Sequence, residues 1–232
     1  MYKSLDSEKI IETIEQLCRR IDERFPASGL SRVCRELLSV AVESQKRSAW
    51  IAKPHNSLRV GIGVLIAVIV AALVFVVMNA TLPRNGFDLV APVQVSEAGI
   101  NVSILLSAAI LFLVTAEARI KRSRALKAIH ELRALAHVID MHQLTKDPER
   151  LLAGRIETPS SPTQNLSASQ LIKYLDYCSE MLSLIGKLAA LYVQKFDDPV
   201  ALGAVNEVEE LTTGLSRKIW QKIMILNTFV TE

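Results

Sequence analysis

The chain is poor in the residues that interrupt regular structure. Its 232 residues include nine glycines and eight prolines. Because glycine and proline end or kink helices, their scarcity indicates long helices joined by few turns. Apart from residues 89–95, no alternating apolar pattern is long enough to predict a strand, and the sequence has no internal repeat. The sequence therefore predicts an all-α fold.

Recognisable catalytic and redox motifs are also missing. The chain contains no GxGxxG, P-loop, HExxH or GxSxG sequence, so the usual indications of nucleotide binding and of hydrolysis are absent. The three cysteines, Cys18, Cys34 and Cys178, form no CxxC pair and lie on the apolar stripes of predicted helices. We expect them to be buried thiols in a reducing compartment. We predict a protein that is not an enzyme and uses no cofactor.

Although such motifs are missing, the sequence contains two long apolar runs. Residues 60–82 and 98–116 contain no ionisable side chain. A helix rises about 1.5 Å per residue, so roughly 20 apolar residues cross the ~30 Å hydrocarbon core of a bilayer. We therefore predict an integral membrane protein with a two-helix transmembrane hairpin. Its helices are formed by residues 57–82 and 98–116, and an external loop over 83–97 joins them.

The charges beside these runs predict the orientation of the hairpin. Nine lysines and arginines flank the two spans, whereas the loop holds Arg84 against Asp88 and Glu97. This asymmetry places both termini in the cytoplasm, in a plasma membrane or a bacterial inner membrane. Membrane-interface anchors are predicted at the ends of the spans: Trp50, Lys53, Arg59, Arg119, Lys121 and Arg122. The lipid bilayer accounts for these cations, and a net charge of +3 does not indicate nucleic-acid binding.

The polar remainder of the chain predicts a cytoplasmic helical bundle. Residues 1–52 form two amphipathic helices, over 5–24 and 30–52. The rest of the bundle comes from residues 117–232. No breaker follows the second span, so a single helix is predicted from residue 98 to residue 143.

Two further long helices are predicted at the end of the chain. Ser167 and Gln170 match a capping box at the start of the first, and Asp198 and Pro199 mark the turn into the second. Apolar residues in both helices follow alternating four- and three-residue steps, which favours coiled-coil packing. Because the connection is short, we expect an antiparallel hairpin.

Small residues on the first span predict close helix packing. Gly63, Ala67 and Ala71 recur at four-residue steps, and such a row lets a second helix approach closely. Two partners remain open, namely the second span of the same chain and a span of another subunit. The second partner would make the protein a homo-oligomer.

Polar residues in the second span offer a different interpretation. These residues are Asn101, Ser103, Ser107 and Thr115. If several chains met on this face, the side chains would line a wet pore. The alternative is that the hydroxyl groups bond the backbone of their own helix or of a neighbour. The span contains no charge and no selectivity-filter motif.

A histidine stripe follows the second span. His130, Arg133, His137 and Asp140 have heptad spacing on the predicted helix. His137 and Asp140, three residues apart, are weak candidates for a shared metal ion or for a pH-sensitive pair. The alternative is a solvated or interhelical polar face.

Together these features predict a non-enzymatic, self-associating two-span membrane protein. Its cytoplasmic bundle would be an interaction or signalling module that binds a cytoplasmic protein partner. The alternative is a homo-oligomeric ion-conducting pore or channel, gated by the cytoplasmic domain.

Overall fold

Six α-helices make up the regular structure of the computed structural model, which describes residues 4–53, 56–79, 90–148, 159 and 166–230. In chain order they are α1 (Ser7–Arg24), α2 (Gly29–Ala52), α3 (Asn56–Asn79), α4 (Val90–Leu144), α5 (Ala168–Leu191) and α6 (Pro199–Val230). No strand occurs among these residues. The prediction of an all-α fold is confirmed.

The chain divides into two compact units. The first, which we call the bundle, comprises Met1–Lys53 and Arg122–Glu232, and the second, the apolar unit, comprises Pro54–Lys121. Helix α4 contributes residues to both units. The bundle therefore contains α1, α2, the C-terminal part of α4, α5 and α6.

Local capping interactions begin the bundle helices where the sequence indicates. The Asp6 carboxylate accepts a hydrogen bond from the Glu8 amide at 3.0 Å, and the Ser28 hydroxyl accepts one from the Ser31 amide at 3.2 Å. Both halves of the predicted capping box of Ser167 are present at the start of α5. These bonds satisfy amide groups that the first turn of a helix leaves without a partner.

The predicted apolar stripes form one continuous core in the bundle. In α1, Ile14, Leu17 and Ile21 are fully buried. In α5 the stripe is buried from Leu171 onward, but the helix ends at Leu191, although the apolar spacing predicts a longer one. Beyond Leu191 the chain makes turns instead of continuing the helix.

Contacts between side chains fix the directions of the helices in the bundle. The Arg124 guanidinium lies 3.9 Å from the centre of the Trp50 ring at one end of α2. At the other end of α2, Gly29 lies against the imidazole of His142. Helices α2 and α4 are therefore antiparallel within the bundle.

Helix α4 starts earlier than the sequence predicts. It begins at Val90, so residues 90–97 are helical, whereas they were expected to belong to a loop. Pro92 does not oppose this, because a proline in the first turn removes an amide that would have no helical partner anyway. The predicted continuity of the helix past the second apolar run is confirmed, since α4 extends to Leu144.

Candidate functional site

Exposed large apolar side chains are more frequent in the apolar unit than in the bundle. On α3, Val60, Val64, Val68 and Phe75 are 59–68% exposed. On α4 the side chains with more than half of their surface exposed include Ile100, Ile104, Leu111, Phe112 and Val114. Water would contact most of this surface in an isolated chain, and an apolar patch of this extent marks a contact with lipid or protein.

By length and composition, one helix in the described part of the chain is apolar enough to cross a membrane. It runs over Ile100–Leu144, and its most apolar window has a mean hydropathy of 2.0 and no buried residue. A shorter apolar helix covers Val60–Ala71 within the first predicted span. The structure thus supports one apolar spanning candidate, and the described residues do not establish the two-helix hairpin.

The row of small residues on α3 is open. Gly63, Ala67 and Ala71 are all exposed, and a Cβ atom added at Gly63 would meet no atom within 4 Å. Within the part of the chain that the structure describes, the second span does not cover this row. The row leaves room for another helix to approach closely.

The polar residues of the second run make bonds within their own helix. The Ser107 hydroxyl donates to the Ser103 carbonyl oxygen at 2.7 Å, and the Thr115 hydroxyl donates to that of Leu111 at 2.9 Å. Asn101 is exposed. These bonds agree with the alternative to a pore, in which serine and threonine hydroxyl groups bond the backbone of their own helix. Pore lining by Asn101, Ser103, Ser107 and Thr115 stays a prediction.

Several predicted interface anchors have partners in the chain. Besides the contact of Trp50 with Arg124, the guanidinium of Arg119 lies 4.9 Å from the centre of the Phe112 ring. Lys53 is exposed, and the side chain of Arg59 lies outside the described residues. The role of these side chains at a membrane interface stays a prediction.

Two more of these cations form ion pairs. Lys121 lies 2.9 Å from the Glu117 carboxylate, and both side chains are largely buried. Arg122 holds Asp198 through its Nε atom at 2.8 Å and its Nη2 atom at 2.7 Å. The charge of Arg122 is therefore compensated inside the bundle.

The Asp198 carboxylate makes two kinds of interaction, an ion pair and a helix cap, that the sequence did not connect. Its other carboxylate oxygen accepts from the amides of Val200 and Ala201, which caps α6. Burial would raise the pKa of Asp198, but the bonds from Arg122 and from the Ala201 amide outweigh burial and lower the pKa. The Asp-Pro turn signalled the cap, whereas no local pattern connects Asp198 with an arginine 76 residues away.

The structure places Asp140 in an interhelical network. Gln143 donates to the Asp140 carboxylate at 2.6 Å, and Lys222 on α6 donates to the side-chain oxygen of Gln143 at 2.7 Å and to its backbone oxygen at 2.9 Å. Burial lowers the pKa of Lys222. Sequence reasoning did not connect Gln143 with Lys222, because the two residues lie 79 positions apart in the chain.

His137 and His130 are exposed on α4. Within the described ranges, no cluster of three or more histidine, cysteine, aspartate and glutamate side chains is arranged to hold a metal ion. Asp140 bonds Gln143 in the same helix. Metal binding or pH sensing by His137 and Asp140 stays a prediction.

The cysteines are buried thiols, as expected. Cys18, Cys34 and Cys178 are all free and buried. Burial raises the pKa of Cys178 to about 12, so this thiol stays protonated at neutral pH. A hydrogen bond with Cys18 and burial raise the pKa of Cys34.

The chain matches no protein-family model, no curated protein and no solved structure. Its function must therefore be inferred from its own surfaces. The feature that most needs a functional explanation is the uncovered apolar surface of α3 and of the first part of α4.

Proposed function

We propose that this chain is a non-enzymatic, self-associating membrane protein with a two-helix hairpin over 57–82 and 98–116. Both termini lie in the cytoplasm, and the bundle is an interaction or signalling module for a cytoplasmic protein partner. The single observation that carries the proposal is the exposed apolar surface around residues 100–114 of α4, which none of the described residues buries.

The energetics of this surface favour a bilayer over water. Burying one valine, leucine or phenylalanine side chain is worth about 1.5–3 kcal/mol. The exposed side chains of Leu111, Phe112 and Val114 alone would thus gain several kcal/mol in lipid. Helical backbone groups are satisfied within the helix, so α4 can enter hydrocarbon without leaving amides unpaired. Flanking cations support the orientation, because nine lie beside the spans and Arg84 alone lies in the loop.

Topology is tested by labelling single cysteines with a membrane-impermeant maleimide in intact cells. The three native cysteines are replaced by alanine, and one cysteine is introduced by Gly86→Cys or by Ser160→Cys. The loop position should react from outside, whereas the position between α4 and α5 should react only after permeabilisation. Labelling of both positions from the same side would refute the hairpin.

Self-association is tested at the open row of small residues. Ala67→Leu adds bulk where close approach is expected, so it should lower the mass of the complex in mild detergent. Ala109→Leu is the matched control, because Ala109 is exposed on α4 and lies outside the row. If the wild-type chain is strictly monomeric in mild detergent, self-association is wrong.

An oligomeric pore is the alternative proposal. Because the hydroxyls of Ser107 and Thr115 are bonded to backbone carbonyls, they do not need pore water as a partner. This geometry favours the interaction module over the pore. Single-channel currents from the purified protein in planar bilayers, lost in Ser107→Leu, would reverse that preference.

A further inference from the structure

A groove of about 440 Å³ lies on the surface of the bundle. Its walls are the segment before α1, the last turns of α2 and the turn after α5. Its base is formed by apolar side chains, those of Ile51, Leu191 and the half-buried Phe196, together with the ring of Tyr192. The two lysines of its rim are Lys46 and Lys195, and we call the site the lysine groove.

The rim lysines have uncompensated charges. Both are exposed, and no carboxylate among the described residues pairs with Lys46 or Lys195. The neighbouring Arg47, in contrast, pairs with Glu43 and Glu131. Two unpaired cations beside an apolar base create a local positive potential that attracts an anion.

Hydrogen bonds hold the walls of the lysine groove in place. Gln194 accepts from the Leu5 amide at 2.9 Å and donates to the Leu5 carbonyl oxygen at 3.2 Å. The Gln45 amide donates to the Ser7 hydroxyl at 3.3 Å. The Tyr192 hydroxyl donates to Ser44 at 2.9 Å below the base. A site with fixed walls loses little conformational entropy when a ligand binds.

We propose that the lysine groove binds a phosphate-bearing anionic amphiphile, of which an anionic phospholipid is the simplest example. The phosphate pairs with the ammonium groups of Lys46 and Lys195, and the apolar chain covers Ile51 and Phe196. The phosphate and ammonium groups form charge-assisted hydrogen bonds. Contact of the apolar chain with the base adds binding free energy that a free phosphate ion cannot gain.

The assignment of the membrane as the source of this amphiphile rests on the proposed function. Ile51 lies six positions before residue 57, where the first predicted span begins, so the base of the lysine groove is close in sequence to the proposed membrane segment. The binding chemistry itself depends on the bundle alone, so it can hold even if the hairpin does not.

The test measures lipid binding by native mass spectrometry on the full chain released from a neutral detergent. The probes are a short-chain phosphatidylglycerol, the phosphatidylcholine with the same chains, and inorganic phosphate as a competitor. Phosphatidylglycerol should bind more tightly than phosphatidylcholine. Inorganic phosphate should compete weakly, because it leaves the apolar base uncovered.

Charge-matched variants locate the site. Lys46→Gln with Lys195→Gln should weaken phosphatidylglycerol binding about tenfold. The control, Lys187→Gln with Lys218→Gln, removes the same charge from exposed lysines outside the groove and should leave binding unchanged. Arginine at both groove positions should retain binding, which separates lost charge from damaged structure.

Three results would overturn the inference. Unchanged phosphatidylglycerol binding by the groove variant would show that Lys46 and Lys195 do not contact the ligand. Equal losses in the groove variant and its control would indicate general charge attraction. Equally tight binding of inorganic phosphate would make the ligand a free anion rather than an amphiphile. None of these results bears on the maleimide labelling that tests the hairpin, so the two proposals fail separately.

Discussion

The ion pair between Arg122 and Asp198 offers the sharpest test of how the bundle is held together. Asp198→Ala removes the cap of α6 and leaves the Arg122 guanidinium without its carboxylate. Asp198→Asn retains an oxygen that can accept from Val200 and Ala201, but it loses the charge. Comparing the two variants separates capping from ion pairing.

The expected magnitude follows from the two roles. Loss of an N-cap costs about 1 kcal/mol. Loss of the ion pair adds about 1 kcal/mol, since the 39% exposure of Arg122 allows water to screen the pair. Asp198→Ala should thus lower the free energy of unfolding by about 2 kcal/mol and the midpoint by about 4–8 °C. Asp198→Asn should lose about half as much stability.

Thermal unfolding of the full chain in mild detergent measures these effects. Tryptophan fluorescence reports on the bundle, because Trp50 and Trp220 both lie in it. Asp197→Ala is the matched control, since Asp197 is the exposed neighbouring carboxylate. Equal shifts for Asp197→Ala and Asp198→Ala would refute the assignment to this ion pair.

The pH dependence provides an independent check. The pKa of Asp198 is lowered in the folded state, so its contribution to stability is fully present above the unfolded pKa of about 4. The contribution is lost as the pH falls through the folded value. The stability gap between wild type and Asp198→Asn should therefore close in acid, and a gap that stays constant would contradict the mechanism.

Two further predictions use titratable groups of the bundle. Because burial raises the pKa of Cys178 to about 12, this thiol should resist iodoacetamide at neutral pH and react after unfolding; prompt reaction in the folded chain would contradict its burial. Burial, with Arg32 and Lys146, lowers the pKa of His142, so the bundle should lose stability as the pH falls below about 6.5. His142→Gln should reduce this pH dependence in thermal melts, and a pH dependence equal to that of the wild type would contradict the assignment to His142.

Features that depend on neighbours in the chain were predictable. The capping box at Ser167 and the start of α6 at Pro199 involve residues within three positions of each other, so their residue types decide the geometry. The start of α4 was predicted too late. The loop was predicted to extend to Glu97, where the uncharged run begins, but α4 starts at Val90, and a proline in its first turn leaves the helix intact.

The contacts that assemble the bundle were not predictable. Arg122 and Asp198 lie 76 residues apart, and Gln143 and Lys222 lie 79 apart. The lysine groove likewise brings Lys46 together with Lys195. Nothing in the spacing of these residues distinguishes them from other polar residues on a helix surface, because each pairing depends on how whole helices pack.

By itself, the sequence determined the all-α class, the main helices and the position of the apolar runs. It did so because helix formation depends on local periodicity, capping and the scarcity of breakers. Only the tertiary structure decided which cations pair with a carboxylate among the described residues and which do not. Arg122 and Lys46 have similar sequence surroundings, yet one meets a buried carboxylate and the other borders an open groove. That difference arises because side chains distant in the chain meet only when the helices pack around a common core.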